Sequence, residues 1–106
     1  MNRWIRIALG LAVDSPHPIH KMGCVIVRGG SLVSSAYNLH GWGRHAELRA
    51  LRPKRDYSGC VLYVVRLNGK VSTPCTMCME AIRKAKISRV VSVNWESTTE
   101  VTKVVG

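Results

Sequence analysis

The sequence predicts an α/β fold, a three-layer α-β-α sandwich with helices on both faces of a mixed sheet of about five strands. Three observations carry this. Helical and strand periodicities succeed one another in the order α-β-β-α-β-α-β-β. The run "GCVLYVVRL" (59–67) is almost continuously apolar and β-branched, the pattern of a central strand covered on both sides. Only a few residues separate the last two strands, too few for a crossover helix, so that pair should be an antiparallel hairpin. At 106 residues the chain is long enough for one real core, and residues 1–106 read as a single domain.

The elements follow in order. Residues 2–13 read as an amphipathic helix, with Trp4, Ala8 and Leu11 on one face and Arg3, Arg6 and Gly10 turned away. "SPHP" (15–18) breaks it. "MGCVIVRGGSLVSSAYN" (22–38) reads as two strands joined at Gly29-Gly30, a strong hairpin signal. "LHGWG" (39–43) is a loop, and "RHAELRALR" (44–52) is a helix ended by Pro53. The central strand turns at Asn68-Gly69. Pro74 suits the opening of a helix that runs through "CTMCMEAIRKAK", with Lys84 and Lys86 placed to complement its dipole. "ISRVVSVNW" (87–95) and "EVTKVV" (100–105) are the last two strands.

Composition narrows the function classes. A hydrophobic fraction of 46% argues against disorder, and no apolar run has transmembrane length, so no membrane partner is expected. The opening "MNRWIRIALGLAV" imitates a signal peptide, but the apolar stretch is short, contains Gly10 and meets Asp14 without a small-residue cleavage site. A cytoplasmic location is therefore the expectation, with cysteines kept reduced. Sixteen Lys and Arg against six Asp and Glu give a net charge of +10. That excess attracts phosphate-bearing partners, although it is equally the mark of a solvated basic face.

The chemistry sits in two short stretches. Cys75 and Cys78, spaced i and i+3 at a helix start, point the same way and can chelate one ion. His45, in "RHAEL", is the obvious further donor. One histidine and two thiolates leave a fourth position open, the arrangement of a catalytic rather than a structural zinc site. Glu47, two residues on, can reach that open position without being a ligand. Two rival readings exist. A redox dithiol at Cys75 and Cys78 leaves His45 and Glu47 without a task. A structural zinc needs a fourth protein ligand, and Cys24 and Cys60 lie in predicted core strands, where small buried apolar residues belong.

Together, "HAE" (45–47) and "PCTMC" (74–78) match an H-x-E…P-C-x-x-C signature. They resemble the zinc-dependent cytidine/deoxycytidylate deaminase superfamily, which also holds tRNA adenosine deaminases and polynucleotide cytidine deaminases. The element order is similar from about residue 1 to 95. The resemblance implies a cytidine-deaminase-like sheet, one Zn2+ per chain on His45, Cys75 and Cys78, and Glu47 as proton shuttle. It implies hydrolytic deamination of a cytosine-type base in a small nucleotide or nucleoside, with deoxycytidylate as the leading substrate. Self-association into a homo-oligomer is implied as well.

Expected substrate contacts are Asn38, Trp42, Arg44, Ala46 and Pro74. Asn38 resembles the family's substrate-contacting asparagine by its place before the "HAE" helix, and is equally often a turn residue. Trp42 offers a ring able to stack on a base, or a partly buried loop anchor. Arg44, Arg49, Arg52, Lys54 and Arg55 surround the "HAE" helix, and Arg83, Lys84, Lys86 and Arg89 follow the cysteines. Such a field favours the alternative of a deaminase acting on cytosine or adenine in single-stranded DNA or RNA. From a different class comes a non-enzymatic zinc module that binds nucleic acid. Glu47 separates the two classes, because a binding module gives it nothing to do.

Overall fold

A computed structural model describes residues 2–39, 45–52, 55–67 and 76–105. The elements occur in the expected order: α1 (Arg3–Asp14), β1 (Met22–Arg28), β2 (Ser31–Tyr37), α2 (Ala46–Ala50), β3 (Val61–Arg66), α3 (Thr76–Lys84), β4 (Arg89–Asn94) and β5 (Thr99–Val104). The five strands form one sheet in the order β2-β1-β3-β4-β5. β3 and β4 are parallel, joined by the α3 crossover, and every other neighbouring pair is antiparallel, including β4 with β5. Gly29, at φ +59°, supplies the left-handed residue of the first hairpin.

Strand alternation divides the core into two layers. Cys24, Ile26, Leu62, Val64 and Val90 face α2 and α3, where Ala46, Ala50, Met79 and Ile82 cover them. Val25, Val65, Val91 and Val93 face the opposite way and are covered by Ile5 and Ala8 of α1. This is the three-layer sandwich, its sheet apolar on both faces. β5 is the exception: every one of its residues is exposed.

α1 is rotated from the expected face. Its buried stripe is Ile5, Ala8 and Ala12, while Trp4 and Leu11 are only half-buried. The cause lies in the partner strand. A Cβ built on Gly23 would stand 2.0 Å from Ala8 O and 2.6 Å from Ala12 N, so the helix backbone rests directly on the glycine. Close approach of this kind selects the alanine-bearing side of the helix, and Trp4 is left at the rim with the Arg3 guanidinium 4.4 Å above its ring. Gly23→Ala is therefore expected to push α1 off the sheet. We expect it to cost at least about 3 kcal/mol, the upper end of ordinary overpacking, and to lower Tm by roughly 12 °C or more in a calorimetric scan.

α2 is shorter than the nine residues of its sequence signature, spanning only Ala46–Ala50. A single turn of helix has little stability of its own, so tertiary bonds hold it. Ser34 Oγ donates to Ala50 O at 2.6 Å, and the buried Tyr57 hydroxyl donates to the same carbonyl at 3.1 Å. That hydroxyl also accepts from Arg52 N at 2.9 Å. The clamp on its C-terminal end fixes what stands at its N-terminal end, namely His45 and Glu47.

Candidate active site

His45 is the N-cap residue of α2, with extended backbone (φ −64°, ψ 146°), and its ring makes no capping hydrogen bond. The imidazole is turned toward α3 instead, where its Nδ1 lies 3.3 Å from Cys78 Sγ. Cys78 is fully buried in the first turn of α3. Two of the three expected metal ligands thus meet from separate helices, 33 residues apart. The third, Cys75, lies outside the described residues, as do Trp42, Arg44 and Pro74.

The geometry suits a zinc ion. Nitrogen and sulfur ligands at about 2.0 and 2.3 Å on one tetrahedral ion stand about 3.5 Å apart, close to the His45–Cys78 separation. The donor types are right, and Cys75 stands three positions before Cys78, one helical turn away in sequence.

Glu47 completes the arrangement. It is 2% exposed, and its Oε1 is buried with no hydrogen-bond partner among the described residues. Desolvation pushes its carboxyl above the usual carboxylate range, opposed by a hydrogen bond from its own backbone and by the neighbouring His45. An unpartnered buried carboxyl oxygen is costly, and folds retain one where it has work to do. Ala46, between the two, is fully buried and packs into the core.

Asn38 is placed beside the site but is heavily used by the fold. Its Oδ1 lies 2.6 Å from Ser15 Oγ and accepts from Met22 N at 2.9 Å, and its Nδ2 donates to His20 O. One amide proton is left unused by these bonds among the described residues. A cleft of about 210 Å³ is walled by His17, His20, Met22, Asn38, His45 and Arg66. A separate cleft of about 460 Å³ includes Tyr37, Arg49 and Arg52, with the Arg49 guanidinium 5.3 Å from the Tyr37 ring.

Sequence reasoning missed three things here. Cys24 is buried as expected, but it also lies behind the centre: burial pushes its thiol well up, and the nearby charges of Glu47 and Cys78 push the same way. Without a metal ion, a thiol so held stays protonated. Ser15, which ties Asn38, read only as part of a helix break. His17, His20 and Arg66 gave no shared signal, because one is a strand end and the others belong to a loop.

The chain matches the family described as the cytidine and deoxycytidylate deaminase zinc-binding region over residues 1–94. A curated relative, riboflavin biosynthesis protein RibD of Actinobacillus pleuropneumoniae, is 42% identical over 66 residues, which is 60% of this chain. The chain spans only 17% of that relative's length. Among solved structures, a cytidine deaminase from Burkholderia pseudomallei is similar with TM-score 0.76 and 18% identity, covering 100% of this chain and 94% of that one. The dCMP deaminase of cyanophage S-TIM5 is similar with TM-score 0.71 and 21% identity, covering 89% and 86%. Identities this low speak for the fold, and the match over residues 1–94 speaks for the family. The chain belongs to the zinc-binding cytidine and deoxycytidylate deaminase family.

Proposed function

We propose that this chain is a hydrolytic deaminase that replaces the C4 amine of a cytosine-type base with a carbonyl, releasing ammonia from a small nucleotide or nucleoside. Deoxycytidylate is the first substrate to try. The observation that carries the reading is Glu47, whose buried Oε1, without a hydrogen-bond partner among the described residues, stands two residues from the histidine that meets Cys78.

Zinc held by His45, Cys78 and Cys75 would supply an acidified water at the open position. Glu47 does the proton work. Its carboxylate takes one proton from the attacking water and delivers it to the ring nitrogen. It then takes the second proton from that oxygen, now bonded to C4, and passes it to the amine, which leaves as ammonia while the carbonyl forms. Water and the aminopyrimidine become the carbonyl product and ammonia, and Glu47 ends as it began. The burial of Ala46 and Glu47 keeps bulk water away from these transfers.

The test is ammonia release by zinc-loaded protein from cytosine, cytidine, deoxycytidylate, deoxycytidine triphosphate and single-stranded oligonucleotides. Release from none of them overturns the reading. The likeness to a riboflavin biosynthesis protein puts other aminopyrimidine nucleotides on the same panel.

A second reading, a deaminase of single-stranded nucleic acid, is favoured by the +10 charge and by the cleft lined by Tyr37, Arg49 and Arg52, where the Arg49 guanidinium stands over the Tyr37 ring. Salt separates the two. Activity on a strand should fall steeply with added salt, with a log–log slope of roughly −0.7 per phosphate contact. Turnover of a mononucleotide should respond mildly. A steep fall with oligonucleotides and no release from mononucleotides would establish the second reading in place of the first.

A further inference from the structure

The sheet ends in two edges, β2 and β5, and they are unlike. β5 carries Glu100 and Lys103, the kind of charged residue with which native edges discourage further pairing. β2, "SLVSSAY", carries no charge and no proline. It is interrupted by a bulge: Leu32 and Ser34 stand opposite the consecutive β1 residues Val27 and Ile26, so Val33 is the extra residue. Regular edge is thereby confined to the stretch from Ser34 to Tyr37.

Alternation fixes which main-chain groups this stretch turns outward. Asn38 N donates to Met22 O at 3.1 Å, so the main-chain groups of Asn38 and, two residues back, of Ala36 point toward β1. Those of Ser35 and Tyr37 point away from the sheet. The Tyr37 carbonyl is accordingly met from outside, by an Arg49 guanidinium nitrogen. The Ser35 N–H and C=O and the Tyr37 N–H complete the outward row. The cleft of about 460 Å³ lies on this row, walled by Ser35, Ala36 and Tyr37, by Leu11 of α1, and by Arg49 and Arg52 at α2. α1 and α2 cover opposite faces of the sheet, so the cleft wraps around its edge. Its floor is main chain, one wall is apolar and the other basic, and no carboxylate belongs to the described lining.

We propose that the β2 edge takes an extended acidic peptide segment of another protein as a sixth strand of the sheet. Main-chain pairing with Ser35 and Tyr37 supplies the affinity, and carboxylates reaching Arg49 and Arg52 supply the selection. Side chains of an added strand alternate between the two layers, so one set meets Leu11 and the other meets Arg52. A segment of alternating apolar and acidic residues fits both walls. A second copy of this chain fits less well. Sixteen Lys and Arg against six Asp and Glu make the chain repel itself, and β2 has no carboxylate to offer the two arginines. A nucleic-acid strand offers phosphates to the guanidinium groups but no main chain to pair with the edge. The proposal is independent of the reaction and of its substrate.

The test follows the backbone amide signals of the zinc-loaded full chain at fixed ionic strength. The titrants are a blocked hexapeptide of alternating valine and glutamate, its valine–lysine counterpart, the glutamate peptide N-methylated at alternate residues, and oligothymidylate. The glutamate peptide should shift the Ser35 and Tyr37 amides saturably and slow their hydrogen exchange. The lysine and N-methylated peptides should do neither. Arg52→Gln should weaken binding of the glutamate peptide roughly 10-fold, the size expected for a lost charged hydrogen bond. Ser35→Pro removes an N–H that faces away from the sheet, a place where edge strands tolerate proline. It should abolish pairing while the chain stays folded and its charge unchanged. No shift of these amides at millimolar glutamate peptide overturns the proposal, as does an N-methylated peptide that binds as well as its parent. Oligothymidylate that moves the two amides where the peptide does not overturns it in favour of a nucleic-acid strand. Exchange at Ser35 and Tyr37 that slows with rising protein concentration, with no peptide present, overturns it in favour of a second copy.

Discussion

Glu47→Gln is expected to abolish ammonia release while leaving zinc content and fold intact. Glutamine fills the same space but cannot accept a proton, so every transfer assigned to Glu47 is lost together. Positioned acid–base catalysis contributes roughly 10²- to 10⁴-fold, and one residue that serves as base and then acid should stand at the top of that range. The barrier should rise by about 5 kcal/mol. Stability should move the other way. In zinc-free protein the folded chain holds the Glu47 proton more tightly than the unfolded chain does, because burial raises its carboxyl. Wild type therefore loses stability as pH rises above the unfolded carboxylate value of about 4.3, since folding then buries a charge. The glutamine variant has no such loss, and should unfold at or above the wild-type temperature at pH 7. An inactive variant that is at least as stable as wild type identifies a residue kept for chemistry.

The second large effect concerns the ligands. His45→Ala and Cys78→Ser should each reduce zinc affinity by more than the roughly 10- to 100-fold that loss of an outer-shell partner costs. The fold reports this directly. Zinc at a thousandfold excess over its Kd adds about 4 kcal/mol to wild type by mass action. In a domain of this size that is roughly 15 °C or more in Tm. Chelation should remove the increment from wild type, and neither variant should show it. His45 and Cys78 bridge α2 and α3, so the increment also measures how far the ion ties the short α2 to the sheet.

The element order was legible because each piece announces itself locally: alternation for the hairpin, an apolar run for β3, Pro74 and the charge bias for α3. The meeting of His45 with Cys78 was legible for another reason. Two weak motifs thirty residues apart specify one chemistry only when combined, and α2 and α3 pack on the same face of the sheet. What depended on close contact across the chain was less visible. The buried face of α1 is set by the missing Cβ of Gly23, and helical periodicity cannot sense that. Asn38 read as a loop residue near substrate, and the fold spends most of its amide on Ser15, Met22 and His20. The His20–Arg66 contact spans 46 residues and belongs to no motif, so only the fold brings the pair together.

Cys24 bears on the central claim. It lies in the core behind Glu47 and Cys78, with its thiol held protonated. If a fourth thiolate completed the metal sphere, no position would remain for water, and the chain would be a zinc module rather than an enzyme. X-ray absorption at the zinc edge of the loaded wild-type protein distinguishes these directly. The account predicts one imidazole nitrogen, two sulfurs and one further light scatterer about the ion. Three or four sulfurs, with Cys24 or Cys60 as a ligand, would contradict it.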